Sequence, residues 1–427
     1  MATITFSPAR LDGSALVPPA KSEAHRALLL AALGKGECRL NGFPPPLCDD
    51  NHAMINGVTA LGAKVRHEGN ALIVTPAPAP VKDAPRVDCC VHACAAALRM
   101  LIPAFLVRGQ AVRFLMEPAL FRRPLDAFEP LMEALGAQMI RTPAADGGMA
   151  SVEITGRMPA GHHIIDGTRS SQFASGMLIA LAHATDENGQ SAPSSLTVTG
   201  PIVSRPYLDM TLSLMQHFRA PWTETSEGEF TLNPVDEHNP AEASVTSDWS
   251  QAAVLLCMNA MGSSITVENL RRDEHCLQGD ARVVEELARM QKDGRLTASE
   301  IDCTDIPDIA PILALTCTQA HGTSSLTGVS RLRIKESDRL LATQELLTQL
   351  GAQVEVSADS NVLRVQGPVQ LRGGFEAEAR SDHRLVMLLA AAALVCDKPI
   401  TVHGVECLNK SWPGFLNTYR ALGGKAE

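Results

Sequence analysis

At 427 residues, with 45% hydrophobic and 20% charged side chains, the chain is long enough for two domains with cores of their own and too apolar for a disordered protein. Its formal net charge of −10 argues against a general nucleic-acid binder, which needs many Lys and Arg contacts to phosphate, yet leaves room for a local basic pocket. No apolar run reaches the ~20 residues of a membrane-spanning helix, and the eleven cysteines contain no Cys-x-x-Cys pair. The first residues lack the charged start and apolar core of a signal peptide, so a reducing cytoplasm without structural disulfides or zinc is expected.

Two phrases alternate along the chain. The first is a polar cluster followed by an apolar run of helix-like length. Lys21-Ser22 precedes 27–33, Arg99 precedes 101–107, and Ser170-Ser171-Gln172 precedes 173–182. Asp248-Trp249-Ser250 precedes 252–261, Ile306-Pro307-Asp308 precedes 309–316, and Ser381-Asp382-His383-Arg384 precedes 385–395. Helices apolar all round are buried, and Ser, Asp and Pro at their starts are ordinary capping chemistry. The second phrase is Leu-Gly-Ala or a relic of it, leading from an amphipathic helix into a strand. It occurs at Leu61-Gly62-Ala63, Leu135-Gly136-Ala137, Phe218-Arg219-Ala220, Leu350-Gly351-Ala352 and Leu422-Gly423-Gly424, with Met290-Gln291-Lys292 as a degraded copy. Glycine just past the last apolar position is a common helix stop, because it takes the left-handed conformation cheaply.

The period of roughly 60 to 80 residues accommodates two helices and several strands per copy. Six copies make two domains of three repeats each. Each polar cluster alone reads as a cap. Six helix N-termini, with free N–H groups and partial positive charge, together suit an anionic ligand.

The stretch Arg331 to Arg339 sets Arg331, Arg333, Lys335 and Arg339 among Glu336 and Asp338. It reads either as a solvated helix face of weak charge pairs or as an anion site with an acid–base carboxylate inside it. The chain has no Gly-x-Gly-x-x-Gly, no phosphate-loop Lys and no His-Glu-x-x-His, and His162-His163 reads as a surface loop.

The chain resembles the 5-enolpyruvylshikimate-3-phosphate synthases (3-phosphoshikimate 1-carboxyvinyltransferases) over its whole length. The matching segments are Pro18-Pro19-Ala20-Lys21-Ser22-Glu23-Ala24-His25-Arg26, Ser170-Ser171-Gln172-Phe173, Val203-Ser204-Arg205-Pro206-Tyr207 and Ile306-Pro307-Asp308. Arg333-Ile334-Lys335-Glu336-Ser337-Asp338-Arg339, Asp382-His383-Arg384 and Asn409-Lys410-Ser411-Trp412-Pro413 complete the set. The resemblance implies an α/β fold of α+β character: a two-domain inverse α/β barrel, each domain three βαβαββ repeats around buried helices, with the active site in the interdomain cleft. The N-terminal domain would span 20–244, carrying the shikimate-3-phosphate side and part of the phosphoenolpyruvate site. The C-terminal domain would combine 1–19 with 245–427.

The implied reaction moves the enolpyruvyl group of phosphoenolpyruvate onto the 5-hydroxyl of shikimate-3-phosphate and releases phosphate. It lies on the shikimate pathway to chorismate and aromatic amino acids. No metal or organic cofactor is implied, nor any nucleic-acid or membrane partner, and a monomer is expected. Carried over position by position, Ser22, Arg26, Ser170, Ser171, Gln172, Ser204, Tyr207 and Lys335 would hold shikimate-3-phosphate, with Lys21 at both substrates. Asp308 would orient or deprotonate the 5-hydroxyl, a role compatible with its blander alternative as an N-cap for the helix after Pro307. Glu336 would deliver and remove the methylene proton, which asks for an upward-shifted pKa. Lys21, Arg99, Arg123, Gln172, Arg339, Arg384 and Lys410 would hold phosphoenolpyruvate, with His383 lining the same pocket and Lys21 assisting catalysis. A lone Lys such as Lys410 is otherwise usually solvated.

One segment departs from the family pattern. Where a glycine and two hydroxyl residues are usual, this chain reads Ala93-Cys94-Ala95-Ala96-Ala97-Leu98-Arg99, and Ala119-Leu120-Phe121 lacks basic residues often present before Arg123-Pro124. A methyl at Ala95 intrudes where glycine lets backbone approach a ligand, and each lost hydrogen bond is worth about 1 kcal/mol. Two readings follow: a working synthase with a reshaped phosphoenolpyruvate pocket that also excludes glyphosate, or a relative that binds shikimate-3-phosphate without turnover. A transferase acting on a UDP-amino sugar is disfavoured by Ser170-Ser171-Gln172 and Lys335-Glu336.

Overall fold

The structure is a computed structural model, described for residues 2–81, 84–145, 147–271 and 276–427. It divides into two compact units, Pro19–Thr246 and a second formed by the segment up to Pro18 together with Ser247–Glu427.

The unit Pro19–Thr246 is built from three copies of one plan. In the second copy, strand Val87–His92 leads to the buried helix Ala95–Arg108, strand Val112–Met116, the outer helix Glu129–Leu135, and strands Gln138–Thr142 and Ala150–Thr155. The first two strands pair in parallel, and the remaining pairings are antiparallel. The third copy repeats this around helix Ser171–Leu181. The first is built around helix Lys21–Leu33, and its parallel edge strand, Glu242–Ser244, arrives from the far end of the unit. Returning the chain this way closes the three-fold arrangement.

The other unit follows the same plan twice. Its buried helices are Ala310–Cys317 and His383–Ala393, and strand Thr3–Ser7 completes the last sheet. The copy around helix Trp249–Ala260 is reduced: Asp12–Ala15 and Ser264–Val267 form a two-stranded parallel sheet, and Gln291–Lys292 with Arg295–Leu296 make a separate short hairpin. This is the copy whose Leu-Gly-Ala phrase has decayed to Met290-Gln291-Lys292.

The helix-stop glycines behave as their chemistry dictates. Gly136 has φ +60 and Gly351 φ +95, and in the relic Phe218-Arg219-Ala220 the arginine itself takes φ +58. The units meet at Pro18/Pro19 and Thr246/Ser247, close to the expected 19/20 and 244/245, and the Ala95 helix includes the alanine run, so Arg99 lies one turn inside it. His162 and His163 lie on strand His162–Asp166, not in a loop. Strand alternation turns His163 inward, 8% exposed, where its ring bonds the Pro159 carbonyl at 2.9 Å.

Gly176 sets the approach of two buried helices. A Cβ there would lie 2.8 Å from Met100 Cα and 2.9 Å from the Arg99 carbonyl oxygen, both of them backbone atoms that cannot swing aside. Gly176→Val is therefore expected to lose about 1–3 kcal/mol or more by overpacking, read as a lowered thermal midpoint, and to pull Arg99 from its partner on the Ser171 helix.

Candidate functional site

Each unit gathers its polar residues at the first turns of its buried helices. In Pro19–Thr246 the helices begin at Lys21, Ala95 and Ser171. Arg26, one turn into the first, donates to Ser175 Oγ of the third at 3.1 Å. Arg99, on the second, donates to Gln172 Oε1 at 3.0 Å and to the Pro124 carbonyl at 3.0 Å, with its guanidinium 4.8 Å from the Phe173 ring centre. The three N-termini therefore lie side by side.

Ser170 caps its helix, its Oγ accepting from Gln172 N at 3.3 Å, and Ser171 is buried beside it. Ser204 has φ +53 and precedes helix Arg205–His217, its carbonyl accepting from Tyr207 N at 3.0 Å. Arg123 follows the short Pro118–Phe121 helix, its N–H bonded to the Leu120 carbonyl at 2.9 Å.

Lys21 Nζ pairs with Asp50 Oδ2 at 2.7 Å, both side chains largely buried. Asp50 belongs to helix Asp49–Ala60, and sequence reasoning passed over it because a partner 29 positions away leaves no local signal. Arg26 is buried and spends its donors on neutral oxygens: Thr211 Oγ1 at 2.6 Å, the Ser22 carbonyl at 2.6 Å, Ser175 Oγ, and the Tyr207 carbonyl at 2.9 Å. Burial, with little countercharge nearby, lowers its pKa to about 10, which keeps it cationic.

The Ala93–Ala97 segment shows how the chain manages without the polar loop. Cys94 is the N-cap of the Ala95 helix, its Sγ accepting from Ala97 N at 3.4 Å. A thiol thus meets one of the first-turn N–H groups otherwise available to an anion. Ala95 and Ala97 are buried.

In the other unit the cluster centres on Arg339, 1% exposed and the first residue of helix Arg339–Gln349. Its Nη1 donates to Asp308 Oδ1 at 2.9 Å, its Nη2 to Glu336 Oε2 at 2.6 Å, and its Nε to Asp382 Oδ2 at 2.8 Å. Lys335 Nζ adds a second cation at 3.0 Å from Asp308 Oδ1, and Lys410 Nζ lies 4.0 Å from Glu336 Oε1. Lys410 is 6% exposed, so it is not the solvated lysine its position suggested. Arg384, at the start of the His383 helix, donates to the Ser250 carbonyl at 2.7 Å and to Ser250 Oγ at 2.5 Å, joining that helix to the first turn of the Trp249 helix. His383 is buried beside it.

Asp308 does not cap the helix after Pro307; that cap is Ile309, with no side-chain bond, and Asp308 faces the cations instead. Burial pushes its carboxyl up, but Lys335, Arg339 and Arg384 outweigh this and hold it well below the usual carboxylate range. Asp308 is thus ionised near neutrality, fit to accept a hydroxyl hydrogen bond. Burial lowers the Lys335 pKa despite Asp308. For Arg339, burial is overcome by Asp382, Glu336 and Asp308, and the pKa rises. A partly exposed carboxylate pair set among four cations can bind an anion and move protons beside it.

Among the described residues no helix is long and apolar enough to cross a membrane, and no group of three or more His, Cys, Asp or Glu could hold a metal ion.

This fold and these clusters are those of an enolpyruvyl transferase. Residues 6–419 match the model of the EPSP synthase (3-phosphoshikimate 1-carboxyvinyltransferase) family. The 3-phosphoshikimate 1-carboxyvinyltransferase of Clostridium kluyveri is 31% identical over 439 residues, covering 100% of this chain and 99% of that protein. That of Clostridioides difficile is also 31% identical, over 447 residues with the same coverage. EPSP synthase from Acinetobacter baumannii superposes over 100% of both chains with a TM-score of 0.76 at 21% identity. The enolpyruvyl transferase NikO from Streptomyces tendae gives 0.70 at 17%, covering 100% of this chain and 98% of that one. These two structures establish the fold. The chain belongs to the EPSP synthase family.

Burial, aided by neighbouring cations, lowers His25 and His183 from 6.5 to about 4. Between those values the unfolded chain holds protons that the folded protein does not, so stability rises with pH across this window. The denaturation midpoint is expected to fall as pH drops from 6.5 toward 4, and a His25→Gln, His183→Gln protein to show a shallower slope.

Proposed function

We propose that the chain transfers the enolpyruvyl group of phosphoenolpyruvate to the 5-hydroxyl of shikimate-3-phosphate, with release of phosphate. The observation that carries this reading is the gathering of Asp308 and Glu336 around Arg339, Lys335 and Lys410. The chemistry needs a group to accept the hydroxyl hydrogen bond, a group to deliver and remove the methylene proton, and cations for a carboxylate and a phosphate. That one cluster contains all three. Asp308 takes the hydroxyl role and Glu336 the proton transfer. Lys21, Arg99, Arg123, Arg339, Arg384 and Lys410 hold phosphoenolpyruvate, and His383 lines its pocket. Ser22, Arg26, Ser170, Ser171, Gln172, Ser204, Tyr207 and Lys335 serve shikimate-3-phosphate. The protein acts as a cytoplasmic monomer.

The test is phosphate release from purified protein. Release should require both substrates, and Asp308→Asn or Glu336→Gln should each lower kcat by roughly 10²- to 10⁴-fold. Release from phosphoenolpyruvate alone, or variants as fast as the parent, would refute the assignment.

The Cys94-capped, alanine-lined loop favours a reshaped phosphoenolpyruvate pocket. Inhibition by glyphosate is therefore expected to be weak, and strong inhibition at low micromolar concentration contradicts this. The same loop supports a second reading, binding of shikimate-3-phosphate without turnover. Restoring Ala95→Gly, Ala96→Ser and Ala97→Thr separates them: a silent parent that gains turnover has lost activity through this loop, and an active parent needs no such rescue.

A further inference from the structure

Arg339 is held by three carboxylates, and they hold it differently. Asp382 is 0% exposed and grips the guanidinium with both oxygens, Oδ2 to Nε at 2.8 Å and Oδ1 to Nη2 at 3.1 Å. Asp382 is itself fixed, capping the His383 helix through Arg384 N at 3.0 Å and accepting from Ser337 Oγ at 3.0 Å. Asp308 and Glu336 each reach one outer nitrogen, and their side chains are 36% and 18% exposed. Each also has a second cation, Lys335 for Asp308 and Lys410 for Glu336.

Resting on the function proposed above, we infer that Asp382 is the positioning residue for Arg339, and that Asp308 and Glu336 occupy its outer nitrogens only until a substrate carboxylate replaces them. Charge supports the exchange. Arg339, Lys335 and Lys410 balance Asp308, Glu336 and Asp382, and Arg384 is a fourth cation whose contacts at Ser250 are neutral. The two displaced carboxylates keep their lysines, so neither is stranded as an unpaired buried charge. An ion pair stabilises a carboxylate over its acid, so a group that must deliver a proton gains from losing its closest cation. Asp382 never lets go, and the guanidinium stays aimed while its partners change.

Asp382→Asn tests this, because the amide keeps the helix-capping oxygen and the shape of the side chain while removing the charge. Calorimetry is expected to show phosphoenolpyruvate binding weakened about 10- to 100-fold, with shikimate-3-phosphate binding within about twofold of the parent. In an Arg339→Lys background the same change should add little, since its effect runs through Arg339. Unchanged phosphoenolpyruvate affinity, equal weakening of both substrates, or full additivity with Arg339→Lys overturns the inference. In the parent, where no variant need fold, the Arg339 Nε–H resonance should keep its position and exchange protection when phosphoenolpyruvate saturates; loss of that protection also overturns it. A parent that binds phosphoenolpyruvate but releases no phosphate fails the proposed reaction while leaving these binding comparisons valid. A parent that does not bind it overturns both.

Discussion

Helices apolar on every side must be shut away from water, and three such helices organise each unit. Sheets wrap them, leaving only their ends for polar chemistry. Where first turns lie side by side, their unbonded N–H groups make that end electropositive. Lys and Arg placed there are repelled by the helices as well as by one another, and need anionic partners of their own. The ion pairs Lys21–Asp50 and Arg339–Asp382 follow from this demand. The surplus positive potential is then available to a ligand.

Much of this architecture was legible because it rests on local rules. A buried helix writes itself as an unbroken apolar run, and a left-handed helix stop writes itself as glycine. The rule held even where the glycine had gone, since Arg219 adopts the same φ in its place. Caps at Ser170, Asp248 and Asp382 followed from residue type alone. The alternative of a cap at Asp308 is not taken up, because Lys335 and Arg339, 27 and 31 positions away, compete for the same carboxylate more strongly than a backbone N–H does. Asp50 was missed for the same reason, and spacing alone could not set aside a solvated Lys410: tertiary partners decide both, and spacing does not record them. His163 was misread because a polar pair resembles a loop until strand alternation turns one member inward.

The alanine segment shows how a helix start absorbs the loss of polar side chains. Without hydroxyl groups, the first-turn N–H groups of the Ala95 helix would face a larger unmet demand, and the sulfur of Cys94 meets part of it. Sulfur is a weak acceptor, so the cap is softer than a hydroxyl one. Backbone order is retained, while the direct hydrogen bonds a hydroxyl could extend to a bound anion are not. The polar residues that remain nearby, Arg99 and Gln172, are tied to each other at 3.0 Å.

Arg26 and Arg339 show the two uses of a buried guanidinium. Arg26 lies among hydroxyl and carbonyl oxygens, which satisfy its geometry without neutralising it, and its pKa falls to about 10. Its contacts tie together the Lys21, Ser171 and Arg205 helices, and since four donors are committed, any anion it serves must be reached with little movement of the group. Arg339 lies among carboxylates, and its pKa rises. Those partners are negative and two of them are partly exposed, so an anionic ligand can replace them without a net loss of charge pairing. Neutral partners hold an arginine in place with its charge unspent, whereas anionic partners that can exchange would suit the receptor role proposed for Arg339. The difference between the two residues lies in their surroundings, which is why matching motifs in the sequence could place both in a site without telling their work apart.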